Sequence, residues 1–146
     1  MIKISHRGNI EGPNQRFENE PHYITEALEE GFNVEADVWL IKDKLYLGHD
    51  IPEHLVGLEF VKNDKFWCHC KNIDALKILL YNNIRCFYHN TDDATLTSDG
   101  YIWTYPGKRL TDKSICVMPE RDNFNIPKYI AGVCSDYVAD LEDYIK

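Results

Sequence analysis

The sequence predicts an α/β fold, a small, shortened (β/α) barrel of the TIM type with a β-hairpin inserted after its second strand, filling one domain over residues 1–146. Three observations carry this. Apolar runs of strand length alternate with amphipathic helical stretches from Ile2 to Tyr88. His6, Asp37, His69, His89, Tyr105, Glu120 and Asp136 fall at or near the ends of those runs, where a parallel sheet collects its functional groups. The length, 146 residues, allows one buried core but falls short of the about 250 of a full eightfold barrel, so some helices must give way to loops.

Ile2–Ser5 reads as the first strand and His6-Arg7-Gly8 as its end, the glycine turning the chain away. A polar loop leads through Pro13 to Glu18 and Asn19. In the following helix, Pro21–Glu30, Ile24, Ala27 and Leu28 share a face and Gly31 supplies the stop. Asn33–Asp50 (NVEADVWLIKDKLYLGHD) reads as a strand, a tight turn and a second strand that presents His49 beside Asp50. Its two-residue period sets Val34, Ala36 and Val38 on one face and Glu35 and Asp37 on the other. Two carboxylates side by side in a folded domain repel each other and are expensive to desolvate unless a cation compensates them. Glu35 and Asp37 are therefore candidate metal ligands, with His49 working beside them.

Ile51–Asp64 is irregular. Lys65–Lys71 is a strand, Ile73–Asn82 a helix carrying Leu76, Leu79 and Leu80, and Ile84–Tyr88 another strand. Tyr101–Thr104, Ser114–Met118 and Ile130–Asp136 follow as strands separated by short segments, and Val138–Lys146 closes the chain as a helix.

Twenty-four acidic against 16 basic residues give a net charge of -8, and no basic run interrupts them. This argues against nucleic acid or an anionic membrane as the main partner, while leaving room for one phosphate group held locally. No stretch has the apolar length of a signal peptide or the ~20 residues of a membrane span, so the expectation is a cytoplasmic protein. The five cysteines sit singly inside apolar runs and read as reduced core thiols. Cys68 and Cys70 lack the second pair that a zinc site would need. Oligomeric state is left open.

His6-Arg7-Gly8, Glu18-Asn19, Glu35-Ala36-Asp37-Val38 and Gly48-His49-Asp50 together resemble the motifs of the glycerophosphodiester phosphodiesterase family, itself similar in its opening to sphingomyelinase D and phosphatidylinositol-specific phospholipase C. The resemblance is close up to Asp50 and thins beyond it. It implies that His6 and His49 are the catalytic acid and base, that Glu35 and Asp37 bind one divalent ion, and that Arg7 binds phosphate. The family's third strand carries a carboxylate followed two residues later by lysine. Here Cys68-His69-Cys70-Lys71 places Lys71 as a phosphate contact and His69 where the carboxylate belongs, as a third ligand. The family implies Mg or Ca, whereas an imidazole in the set suits Zn, Mn or Fe. Trp103-Thr104 and Ser135-Asp136 resemble the family's late WT and closing TD, with Trp103 at most a substrate-facing ring.

The residues suit that chemistry on their own. A phosphodiester needs its charge neutralised, one group to accept a proton and another to donate one, and histidines titrate near neutral pH. The expected function is metal-dependent hydrolysis of a small glycerophosphodiester-like substrate. The rivals are a phospholipase-D-like or cyclising lyase on a lipid or polyol-phosphate polymer, and a barrel that binds a phosphorylated sugar or polyol without turning it over. Glu18 and Asn19 either touch metal or substrate or simply order their loop. His89, Asp92 and Asp93 read as turn residues, Trp67, Trp103 and Tyr105 as core or pocket wall, and Glu120 as structural.

Overall fold

Ten strands form a single sheet in the computed structural model, which describes residues 1–146. They are β1 (Ile2–His6), β2 (Asn33–Ile41), β3 (Lys44–Leu47), β4 (His54–Val56), β5 (Phe66–Cys70), β6 (Cys86–Phe87), β7 (Ala94–Leu96), β8 (Ile102–Thr104), β9 (Ser114–Val117) and β10 (Gly132–Ser135). Seven run parallel in the order β6-β5-β2-β1-β10-β9-β8. β7 adds antiparallel to β8, and β3 and β4 form a meander on the outer half of β2. Lys42 and Asp43 make the β2–β3 turn with φ of 49° and 64°, the left-handed pair that suits a two-residue hairpin.

The sheet is a curled half-barrel, rich in strand and poor in helix, and this corrects the expected (β/α) barrel. Three α-helices form, and only α1 (Pro21–Glu29) and α3 (Ile73–Tyr81) exceed the single turn of α2 (Leu58–Val61). Both long helices have sound starts. Glu20 accepts from the Tyr23 N–H at 3.0 Å ahead of Pro21, and Asn72 accepts from the Ala75 N–H at 3.0 Å. After β6 the connections are a hairpin, a loop and a 3₁₀ turn (Pro119–Asp122), so no α-helix backs β8, β9 or β10. Nor does a strand ladder join the two ends of the parallel run. The turn after β7 meets β6 through single bonds, Ser98 N–H to the Cys86 carbonyl at 2.8 Å and Cys86 N–H to the Ser98 hydroxyl at 3.0 Å. The expected closing helix is likewise a 3₁₀ segment, Val138–Tyr144. Its buried residues, Val138 and Leu141, are three apart, the repeat of a 3₁₀ turn.

The sheet carries a different layer on each side. Ile24, Ala27, Val34, Ala36, Val38 and Leu79 pack β2 against α1 and α3. Ile4, Trp67, Phe87, Trp103, Ile115 and Cys134 fill the inside of the curl. That second cluster is the apolar floor of the site. All five cysteines are buried and unpaired, and no helix is long and apolar enough to cross a membrane.

Candidate functional site

Strand register assembles a polar layer above the apolar floor. Parallel pairing sets His6 of β1 opposite Glu35 of β2, and Asp37 of β2 opposite His69 of β5. Side chains in one row of a sheet share a face. His6, Glu35, Asp37 and His69 therefore converge at the C-terminal ends of the strands. Lys71 follows from the end of β5 and His49 from the end of β3, and Arg7 continues β1.

Asp37 is the hub. It is fully buried, with Arg7 Nε 2.9 Å away, His69 Nδ1 at 3.1 Å, His49 Nδ1 at 3.4 Å and Lys71 Nζ at 3.8 Å. Asn19 clasps it twice, donating to its carboxylate and accepting from its backbone N–H, both at 2.9 Å. Burial alone would raise its pKa, but His69 and the Arg7 guanidinium hold it well below the ordinary carboxylate range. Glu35 is only 2% exposed and has weaker company: His6 Nε2 at 3.8 Å and His69 Nδ1 at 3.9 Å. Burial, reinforced by the Asp37 charge, pushes its pKa up.

Two buried carboxylate oxygens here lack a full set of partners: Glu35 Oε2 makes no hydrogen bond and has His6 Nε2 only at 3.8 Å, and Asp37 Oδ1 has His69 Nδ1 at 3.1 Å and Lys71 Nζ at 3.8 Å beside it. Ligand atoms of Glu35, Asp37 and His69 lie within 4.8 Å of one another. A divalent cation would satisfy both oxygens and cancel the repulsion between the acids. Two carboxylates with one imidazole fit Mn, Zn or Fe, and the carboxylates also suit Mg or Ca.

The two motif histidines are held in complementary ways. His6 Nδ1 lies 2.7 Å from Asp136 Oδ1, which also accepts from Asn9 at 2.8 Å. With Nδ1–H donated to that carboxylate, neutral His6 presents a bare Nε2 towards Glu35. His49 Nδ1 lies 2.6 Å from Arg7. Guanidinium only donates, so His49 Nδ1 accepts and its proton sits on Nε2. Gly48 makes the approach: a Cβ there would meet the Ile51 carbonyl oxygen at 2.0 Å.

A cleft of about 260 Å³ opens above these groups. His6, Arg7, Glu35, His49, His69 and Lys71 line it, together with His89, Trp103, Tyr105, Met118 and Arg121 from the ends of β6, β8 and β9. Of the residues singled out in the sequence, Glu18 and Asn19 stay behind it. Glu18 braces Arg7 at 3.3 Å and Asn9 at 3.0 Å, and Asn19 braces Asp37, so both order the site. Trp103 is a buried wall residue stacked on Phe87 at 4.5 Å.

His89 corrects its reading as a turn residue: its ring stacks on His69 at 4.6 Å and meets Tyr105 at 4.3 Å. Burial and then the nearby His69 and Lys71 charges push its pKa down to about 4, so it is neutral at physiological pH. Asn9 is the supporting residue that sequence reading missed, and nothing marked it. Asp136 was marked by its place at a strand end and by the weak match at Ser135-Asp136, but its role as the partner of His6 was not read. Glu120 is structural, accepting from the Ser135 hydroxyl and the Asp136 N–H, both at 2.9 Å.

The His6–Asp136 pair has a pH signature. Burial would lower the His6 pKa, but the Asp136 hydrogen bond and the Glu35 charge carry it above 6.5. Asp136 is lowered from 3.8 against its own desolvation, by the His6 hydrogen bond and charge. The histidine contribution is full below 6.5 and is lost as pH rises through the raised folded value. The aspartate contribution is full above 3.8 and is lost as pH falls through the lowered one. Asp136→Asn should therefore lose most stability between 3.8 and 6.5, by about 1–3 kcal/mol, and less at pH 9. Urea unfolding of the two proteins across pH checks this, and a difference that grows towards alkaline pH would refute the ion pair.

No family model, curated protein or solved structure matches the chain.

Proposed function

We propose that this chain is a metal-dependent phosphodiesterase acting on a small, glycerophosphodiester-like substrate. One observation carries the reading. Glu35 and His69, with Asp37 buried behind them, line a cleft that also holds three cations, Arg7, Lys71 and Arg121, and two histidines whose hydrogen-bond partners favour opposite proton placements. Glu35, Asp37 and His69 would hold a divalent ion, which would supply charge neutralisation to the phosphoryl group. Arg7 and Lys71 orient the phosphate and add donors where negative charge develops. His6 Nε2 takes the proton of the attacking hydroxyl, and His49 Nε2–H protonates the departing alkoxide. Asp136 keeps His6 in the tautomer that its role needs, and Asn19 and Glu18 hold Asp37 and Arg7 in place.

The five buried thiols favour a reducing compartment and so a cytoplasmic setting. With a net charge of -8 the partner is a small molecule and not nucleic acid. The test is a panel of phosphodiesters with Mg, Ca, Mn and Zn added to chelator-treated protein. Turnover should vanish with the chelator and return with at least one ion, and an analysis of products identifies any cyclic phosphate. Failure of every ion to give turnover on any diester would overturn the catalytic reading.

A further inference from the structure

Three cations line the cleft, and the third has no partner. Arg7 and Lys71 are drawn to Asp37, at 2.9 and 3.8 Å, and Arg7 also reaches Glu18. Arg121 has no carboxylate within 4.0 Å, although Glu120 and Asp122 are its chain neighbours.

The turn that carries Arg121 is firmly built. Met118, Asn123 and Phe124 take left-handed conformations, with φ of 50°, 54° and 50°, which residues with a Cβ adopt only when their surroundings compel it. Here the surroundings are explicit. Glu120 is tied to the Ser135 hydroxyl and the Asp136 N–H, Arg121 N–H bonds the Met118 carbonyl at 3.0 Å, and Phe124 N–H bonds the Pro119 carbonyl at 2.8 Å. The turn thus anchors the backbone of Arg121, whose exposed guanidinium lines the same cleft as His6.

A phosphodiester carries a single negative charge. Arg7, Lys71 and a divalent ion already meet it. We propose that Arg121 recognises a second anionic group, a phosphate or a carboxylate, on the alcohol portion of the substrate. A guanidinium fork fits either group with paired hydrogen bonds. The same charge disfavours an alcohol that ends in a cation, such as a quaternary amine. The inference rests on reading Arg7 and Lys71 as the phosphate site, and it narrows the substrate to a doubly anionic diester.

Binding tests it without turnover. With Mg present, calorimetry compares glycerol phosphate, which has one anionic group, with a phosphoglycerate, which adds a carboxylate, and a propanediol bisphosphate, which adds a phosphate. At least one of the two longer anions should bind about tenfold tighter than glycerol phosphate, and which one does identifies the second group. Arg121→Gln should bring that ratio close to one, and Arg121→Lys should keep part of it. Equal affinities in the native protein, no binding of any of the three, or a ratio unchanged in Arg121→Gln would overturn the proposal. Arg121-dependent preference without turnover of any diester would remove the catalytic reading and leave this one standing. Turnover of diesters with no Arg121-dependent preference would do the reverse.

Discussion

Glu35→Gln should stabilise the ion-free protein while strongly weakening its response to divalent ions. The glutamate is 2% exposed, one of its oxygens has no hydrogen bond, and the charge of Asp37 adds to burial in raising its pKa. The nearby cations serve Asp37 first. An isosteric amide removes the repulsion and the desolvation of a charge, which is worth about 1–2 kcal/mol in favour of the variant. The gain has its own pH dependence. A raised folded pKa costs stability above that value and nothing below the ordinary 4.5, so the advantage should fade in acid. Asp37→Asn should do the opposite, losing about 3–5 kcal/mol because it strips Arg7 and Lys71 of their shared counter-charge. Both variants should bind divalent ions at least about a hundredfold more weakly, beyond the effect of losing an outer partner. Urea unfolding in chelator and calorimetric ion titration measure the two halves separately. If Glu35→Gln is less stable than the native protein and still takes up ions, Glu35 is a structural acceptor and the metal site is elsewhere.

The parts of this site that could be read from the sequence are those encoded locally. The alternation of Val34, Ala36 and Val38 with Glu35 and Asp37 sets strand faces by geometry alone, so the inward acids were legible. His6, Arg7 and His49 were legible because each closes a strand within a short motif. What joins them is not local. The His6–Asp136 hydrogen bond spans 130 positions and depends on β1 pairing with β10. His89 enters the cleft only because β6 pairs with β5 and brings its ring over His69. The barrel expectation failed for a related reason: alternation of strand and helix is true up to α3 and was carried forward into a half of the chain where links are hairpins and 3₁₀ turns. Val138–Tyr144 has apolar residues that suit a helix until their three-residue spacing is weighed against burial of only Val138 and Leu141.

His49→Ala and His6→Ala should each lower kcat by about 10²–10⁴ on a diester with an alkoxide leaving group, the range expected for a positioned acid or base. They should part company when the leaving group is a nitrophenolate, which departs without a proton. Loss of the acid then matters little, so His49→Ala should fall to within about tenfold of the native rate, while His6→Ala should remain as impaired as before. The structural ground for this asymmetry is the proton placement. Arg7 donates to His49 Nδ1 at 2.6 Å and leaves the proton on Nε2, whereas Asp136 accepts a hydrogen bond from His6 Nδ1–H at 2.7 Å and leaves Nε2 bare. Burial differs as well. His49 is 44% exposed on its side chain, open to an alcohol leaving towards solvent, while His6 is 12% exposed and turns Nε2 towards Glu35 at 3.8 Å. The opposite pattern, with His6→Ala rescued by the good leaving group and His49→Ala not, would reverse the roles while leaving the metal site intact. Rescue of neither would mean that the histidines act by binding the phosphate together with Arg7, and that proton transfer comes from solvent.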